Sequence, residues 1–120
     1  MDFIDSHCHL EHPQFDADAG EVISRAKKAG LVKAVDAGSN LANNKKILSL
    51  REKNPGFIEC VLGCSPHDAN TADVEVELKF VKQNSGNILG IGEIGLEYHH
   101  FKKERERWKQ IEVFEAFLNL

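Results

Sequence analysis

Apolar and polar positions along this chain switch between two periods, and the switch recurs four times. Phe3 and Ile4 open an apolar stretch that reads as a first strand over residues 1–10. Val22, Ile23, Ala26 and Ala29 then recur at helical spacing behind the capping residues of 16–20, and Gly30 closes that helix. Residues 31–37 form a second strand, with Val32, Ala34 and Val35 apolar. Gly38-Ser39-Asn40 breaks it and caps a helix carrying Leu41, Ile47, Leu48 and Leu50, which Asn54-Pro55-Gly56 stops. Residues 57–63 read as a third strand, buried on both faces. Val74, Leu78 and Val81 place a third helix, closed by residues 84–87. A glycine-rich fourth strand follows over 88–94, then a helix over 103–120 with Trp108, Ile111, Phe114, Phe117 and Leu118 on its apolar side.

The order is therefore strand–helix four times over, at the roughly 30-residue spacing of a βαβ unit. Strands separated by helices pair in parallel with right-handed crossovers. The fold class is α/β, built of parallel βα units.

In such folds ligands bind beyond the carboxyl ends of the strands, and polar groups gather at all four of these ends. The first strand ends in Asp5-Ser6-His7-Cys8-His9. Period-two alternation points Asp5, His7 and His9 to one side, so both imidazoles can reach one cation at about 2.0–2.1 Å. The second ends in Asp36, Ser39 and Asn40, where a capping or turn role competes with a functional one. The third runs into Ser65, His67 and Asp68; His67 reads either as a plain turn histidine or as a contact to substrate phosphate or an acid–base group. The fourth passes through Glu93 toward Glu97, Tyr98, His99 and His100, the two histidines reading as solvated loop residues.

Glu93 interrupts Gly90-Ile91-Gly92-Glu93-Ile94-Gly95-Leu96, otherwise free of charge. A carboxylate inside a buried strand costs several kcal/mol unless a partner compensates it. Metal ligation is the preferred reading and an ion pair with a lysine the competing one. His7, His9 and Glu93 together supply two nitrogens and an oxygen, the donor set of a catalytic site with open positions. A carboxylate there can also bridge two cations.

Composition narrows the field. With 42% hydrophobic and 28% charged residues the chain is globular in character, and its longest apolar runs are too short to span a bilayer. No basic and apolar leader precedes the first strand. Cys8, Cys60 and Cys64 are odd in number, which suits a reducing cytoplasm better than a disulfide framework. Cys60-x-x-x-Cys64 lacks the second pair of a zinc site and reads as buried small residues. A net charge of −4 excludes a broad basic nucleic-acid surface, so a phosphodiester would have to be drawn in by cations and local groups.

Three stretches together resemble the TatD family of metal-dependent hydrolases: residues 4–10 (IDSHCHL), 63–67 (GCSPH) and 92–98 (GEIGLEY). The helix bearing Arg107, Gln110, Val113 and Phe114 has the same character. The resemblance implies a TIM-type (β/α)8 barrel, one or two divalent cations (zinc, magnesium or manganese), and hydrolysis of nucleic-acid or nucleotide phosphodiesters by a metal-activated water, commonly as a DNase. It carries metal binding onto His7, His9 and Glu93, and substrate contact onto His67 and Ser65. Ser65 stands where many members have histidine, and Glu97 where many have aspartate.

Eight βα units need roughly 200 residues or more, and residues 1–120 carry four. The chain thus reads as the N-terminal half of a barrel, with the resemblance's remaining ligands on strands it does not contain. Four open parallel strands expose two edges, which invites self-association. Two other readings stay open: another barrel hydrolase that opens with His-x-His, such as an amidohydrolase or phosphoesterase, and a truncated, non-catalytic half-barrel.

Overall fold

The computed structural model describes residues 1–120. Four strands, β1 (Phe3–Cys8), β2 (Leu31–Ala37), β3 (Ile58–Leu62) and β4 (Gly90–Ile91), form one sheet in the order β1-β2-β3-β4, every pair parallel. Helices α1 (Ala19–Lys28), α2 (Leu41–Lys53), α3 (Val74–Gln83) and α4 (Glu104–Leu118) follow the strands in turn. The expected four βα units are all present, and consecutive strands are neighbours, as in half of a TIM-type barrel.

Local chemistry sets the helix ends. Gly30 takes a positive φ of 100° after α1, a conformation open to glycine at little cost. The Asn40 side chain accepts the Asn43 N–H to cap α2, and Asp73 does the same for Val76 in α3. Asp18, at the start of α1, makes no such bond. Asp16 instead pairs with Lys46 of α2.

The core lies between the sheet and its helices. Ile47 of α2, Cys60 and Leu62 of β3, Val81 of α3, and Val113 and Phe117 of α4 form one buried cluster. Ile23 of α1, Ala34 of β2, Phe57 and Ile58 form a second. In β3, Ile58, Cys60 and Leu62 are buried while Glu59 and Val61 are only half so. The expectation of burial on both faces therefore fails. Helices cover one face; the other is open.

Two further expectations need correction. α4 turns Gln110, Val113 and Phe117 inward, leaving Trp108 and Leu118 exposed. Its phase follows the contact of Gln110 with the preceding loop rather than the longest apolar stripe. The fourth strand is two residues long, not seven, because pairing with β3 stops after Leu62↔Ile91. All of β1 up to His7 is exposed.

Candidate metal centre

β1 does not alternate simply. Asp5 pairs with Ala34 and Cys8 with Asp36, so three steps along β1 match two along β2. This bulge overturns the expectation that Asp5 sides with the histidines. Asp5 instead accepts the His7 backbone N–H (3.1 Å) and, with Cys8, lines a small recess beneath α1. Cys8 donates to the Val35 carbonyl (3.4 Å), and burial pushes its thiol up to about 12. Lying between His7 and His9 in sequence but turned toward α1, it stays a protonated thiol.

Beyond the bulge, His7 and His9 converge, with their Nε2 atoms 3.2 Å apart. Glu93 Oε2 lies 3.9 Å from His9 Nε2, and ligand atoms of the three residues fall within 4.8 Å of one another. Two nitrogens on a tetrahedral ion at about 2.0–2.1 Å would stand roughly 3.3 Å apart, so the histidine pair is already spaced for a shared cation. The other face of His9 is fixed: its Nδ1 lies 3.3 Å from Glu11 Oε1. That contact places the proton on Nδ1 and leaves the Nε2 lone pair aimed at His7 and Glu93. The donor set and its tautomer fit a divalent cation.

Glu93 reaches this place differently from the sequence expectation. It follows β4 rather than lying within it, and its side chain is 40% exposed. The desolvation argument therefore does not hold, and its ionic neighbour is His9 rather than a lysine. What holds the residue is backbone. Its N–H donates to the Gly38 carbonyl (2.6 Å), its peptide bond with Gly92 is cis, and Gly63 packs directly against it. A Cβ at Gly63 would stand 2.7 Å from the Glu93 carbonyl oxygen. Gly63 is in turn gripped by fully buried Asn44, which donates to its carbonyl (2.9 Å) and accepts its N–H (3.3 Å). Glu77, also buried, accepts from Asn44 and from the Leu41 N–H.

Beneath the histidines Glu11, which the sequence did not single out, meets Asp36, which it left open between a capping or turn role and a functional one. Glu11 and Asp36 are 2% and 0% exposed, and each keeps one buried oxygen without a partner in the protein. Burial first, then hydrogen bonding to Glu11 and its charge, push the Asp36 carboxyl up to about 8. Raised this far, the Asp36 carboxyl keeps its proton at neutral pH. Asp36 also accepts the Leu10 N–H (3.0 Å), anchoring the turn that carries Glu11.

Ser65 and His67 diverge. Ser65 is buried, donates its hydroxyl to Asp68 (3.0 Å) and accepts the Asp68 and Ala69 N–H groups on its carbonyl, so it shapes the loop. His67 is exposed on that loop, with Glu97 and His100 beside it. Glu97 donates its N–H to buried Gln110 (2.8 Å), and its carboxylate accepts from the backbones of His99 and His100. Partial desolvation opposes it, but the His100 and His99 N–H groups and the His100 ring hold the carboxyl below its ordinary value. The largest surface recess, between α1 and α2, contains none of these groups.

The profile of the TatD related DNases matches residues 4–120. The chain belongs to the TatD family. It is 33% identical over 104 residues to human deoxyribonuclease TATDN3, covering 79% of this chain and 38% of that protein. An uncharacterized metal-dependent hydrolase of Methanocaldococcus jannaschii is 34% identical over 120 residues, covering 98% and 45%. The 3'-5' ssDNA/RNA exonuclease TatD of Erwinia billingiae is 31% identical over 114 residues, covering 93% and 42%. Among solved structures, the TatD homologue YJJV of Escherichia coli superposes with a TM-score of 0.81 at 25% identity, covering 98% of this chain and 45% of that one. The chain thus spans less than half the length of the relatives it matches, as four of eight βα units would.

Proposed function

We propose that this chain is the N-terminal half of a metal-dependent phosphodiesterase, a TatD-type deoxyribonuclease, whose cation is held by His7, His9 and Glu93. The observation that carries the reading is the convergence of two Nε2 atoms and a carboxylate, with His9 locked by Glu11 into the ligating tautomer. A divalent cation of the zinc, manganese or magnesium kind would supply Lewis acidity to a scissile phosphodiester and to the attacking water. The chain's own groups do the rest. Glu11 fixes the His9 ring, and Gly38 and Gly63 hold the Glu93 backbone. Ser65 shapes the loop that sets His67 at the rim, open to a substrate phosphate.

The named activities of the relatives favour a nucleic acid as substrate. The remaining barrel strands would add ligands and cover the open sheet face. No helix is long and apolar enough to cross a membrane, and three unpaired cysteines suit the cytoplasm.

The test is hydrolysis of single-stranded DNA by the native polypeptide, with and without added divalent cation, beside a cyclic-amide substrate. Cation-dependent DNA cleavage that Glu93→Gln abolishes is expected. Cleavage of the amide alone would place the chain with the amidohydrolases. Loss of both activities with tight cation binding intact would favour a non-catalytic half-barrel.

A further inference from the structure

We propose that His67, Glu97 and His100 form a second divalent-cation site, of the zinc type, on the same rim as the first. The three come from the loops after β3 and β4, and their ligand atoms fall within 4.8 Å of one another. In a parallel sheet both loops leave by the carboxyl ends of their strands, as do His7 and His9.

The cluster is positioned rather than swept together by exposed side chains. Glu97 is tied at its backbone to Gln110, which is fully buried in α4. Its carboxylate is fixed by the His99 and His100 N–H groups, and His100 Nδ1 stands 3.2 Å from Oε2. Arg107 donates to the Phe101 carbonyl (3.0 Å) and lies over the Tyr98 ring at 4.8 Å, clamping the loop that bears His100. The His67 ring packs 5.9 Å from that of His100 and 5.8 Å from that of Phe101. A cap on the turn accounts for Glu97 by itself. It does not account for two imidazoles brought to the same carboxylate from two loops.

Two imidazoles and one carboxylate make three donors of a four-coordinate set, leaving a position for water or an anionic oxygen. Imidazole donors favour zinc and cobalt over manganese or magnesium. Drawing the ligand atoms from 4.8 Å to the roughly 3.3 Å of a tetrahedral ion requires only rotation of an exposed imidazole, whose outer torsion is soft. The inference stands apart from the His7–His9–Glu93 reading, but it refines the role of His67: its contact to phosphate would run through a cation.

The experiment is a cobalt(II) titration of the native polypeptide, followed by visible absorption and by bound metal after desalting. It compares the parent with His67→Ala, His100→Ala, His100→Gln and the double variant His7→Ala/His9→Ala. Far-UV circular dichroism monitors folding; both His67 and His100 are exposed, so their truncation leaves the core intact. The His67 and His100 variants are expected to lose one equivalent of cobalt, or to weaken that step beyond the roughly 10–100-fold of an outer-shell change. The double variant is expected to retain that step. Parent stoichiometry and affinity in the His67 and His100 variants would overturn the proposal. An unchanged double variant would overturn the first site instead.

Discussion

At the residue scale, His9 depends on what stands behind it. Its Nδ1 faces Glu11 and its Nε2 faces His7 and Glu93, so Glu11 sets which nitrogen is free to ligate. Glu11→Ala should weaken cation affinity about 10–100-fold, measured by calorimetric titration; parent affinity would show that Glu11 does not orient the ring. Asp36 gives a pH prediction. Its carboxyl moves from 3.8 to about 8 on folding, so the folded protein keeps a proton that the unfolded chain releases. The stability this contributes is full below the lower value and is lost as pH rises through the upper one. Asp36→Asn keeps a donor toward Glu11 and should flatten the decline in urea midpoint of the metal-free protein between about pH 5 and 8. An undiminished decline would assign the dependence elsewhere. The convergence of His7, His9 and Glu93 was legible from residue type and spacing. Asp36 stood out only as a polar strand end, and its pairing with Glu11 not at all, because that depends on the β1–β2 register and its bulge, which no local pattern announces.

At the scale of elements, the Glu93 segment rests on backbone packed against backbone. Gly63→Ala would drive a Cβ to 2.7 Å from the Glu93 carbonyl oxygen and the Gly92 carbonyl carbon. It should cost about 1–3 kcal/mol of stability and displace the carboxylate, so thermal unfolding and cation affinity should fall together. Unchanged affinity would mean that Glu93 is placed by something other than this contact. Asn44→Ala strands the Gly63 N–H and carbonyl and should destabilise by a similar ~1–3 kcal/mol, read from urea unfolding. Four βα units and most helix ends were visible from periodicity, glycines and caps. The shortness of β4 was not, since 88–94 keeps its apolar character after pairing has stopped. Nor was the phase of α4, where a polar residue, Gln110, faces inward to hold the Glu97 N–H.

At the scale of the molecule, the sheet is finished on one side only. β1 exposes Phe3 and Ile4, β2 exposes Val32 and β4 exposes Ile91, while both edge strands, β1 and β4, lack a neighbour on their outer side. Unpaired edges and exposed apolar side chains favour association with further strands. Residues 1–120 by themselves should therefore self-associate in sedimentation velocity, with the oligomer shifting on dilution. A monodisperse, cooperatively unfolding monomer would contradict this. The half-barrel was legible in the arithmetic of length against βα units, because each unit needs roughly 30 residues. What covers the open face depends on contacts between segments, which spacing along one chain does not encode.

The most direct test of the cation centre is a zinc titration of the native polypeptide against its Glu93→Gln variant. Glu93 is only half-buried, so the substitution should leave folding intact while removing a ligand charge. A loss of affinity greater than the roughly 10–100-fold of an outer-shell change is predicted, together with loss of phosphodiester hydrolysis. Equal affinity in both proteins would contradict the assignment of His7, His9 and Glu93 as the metal centre.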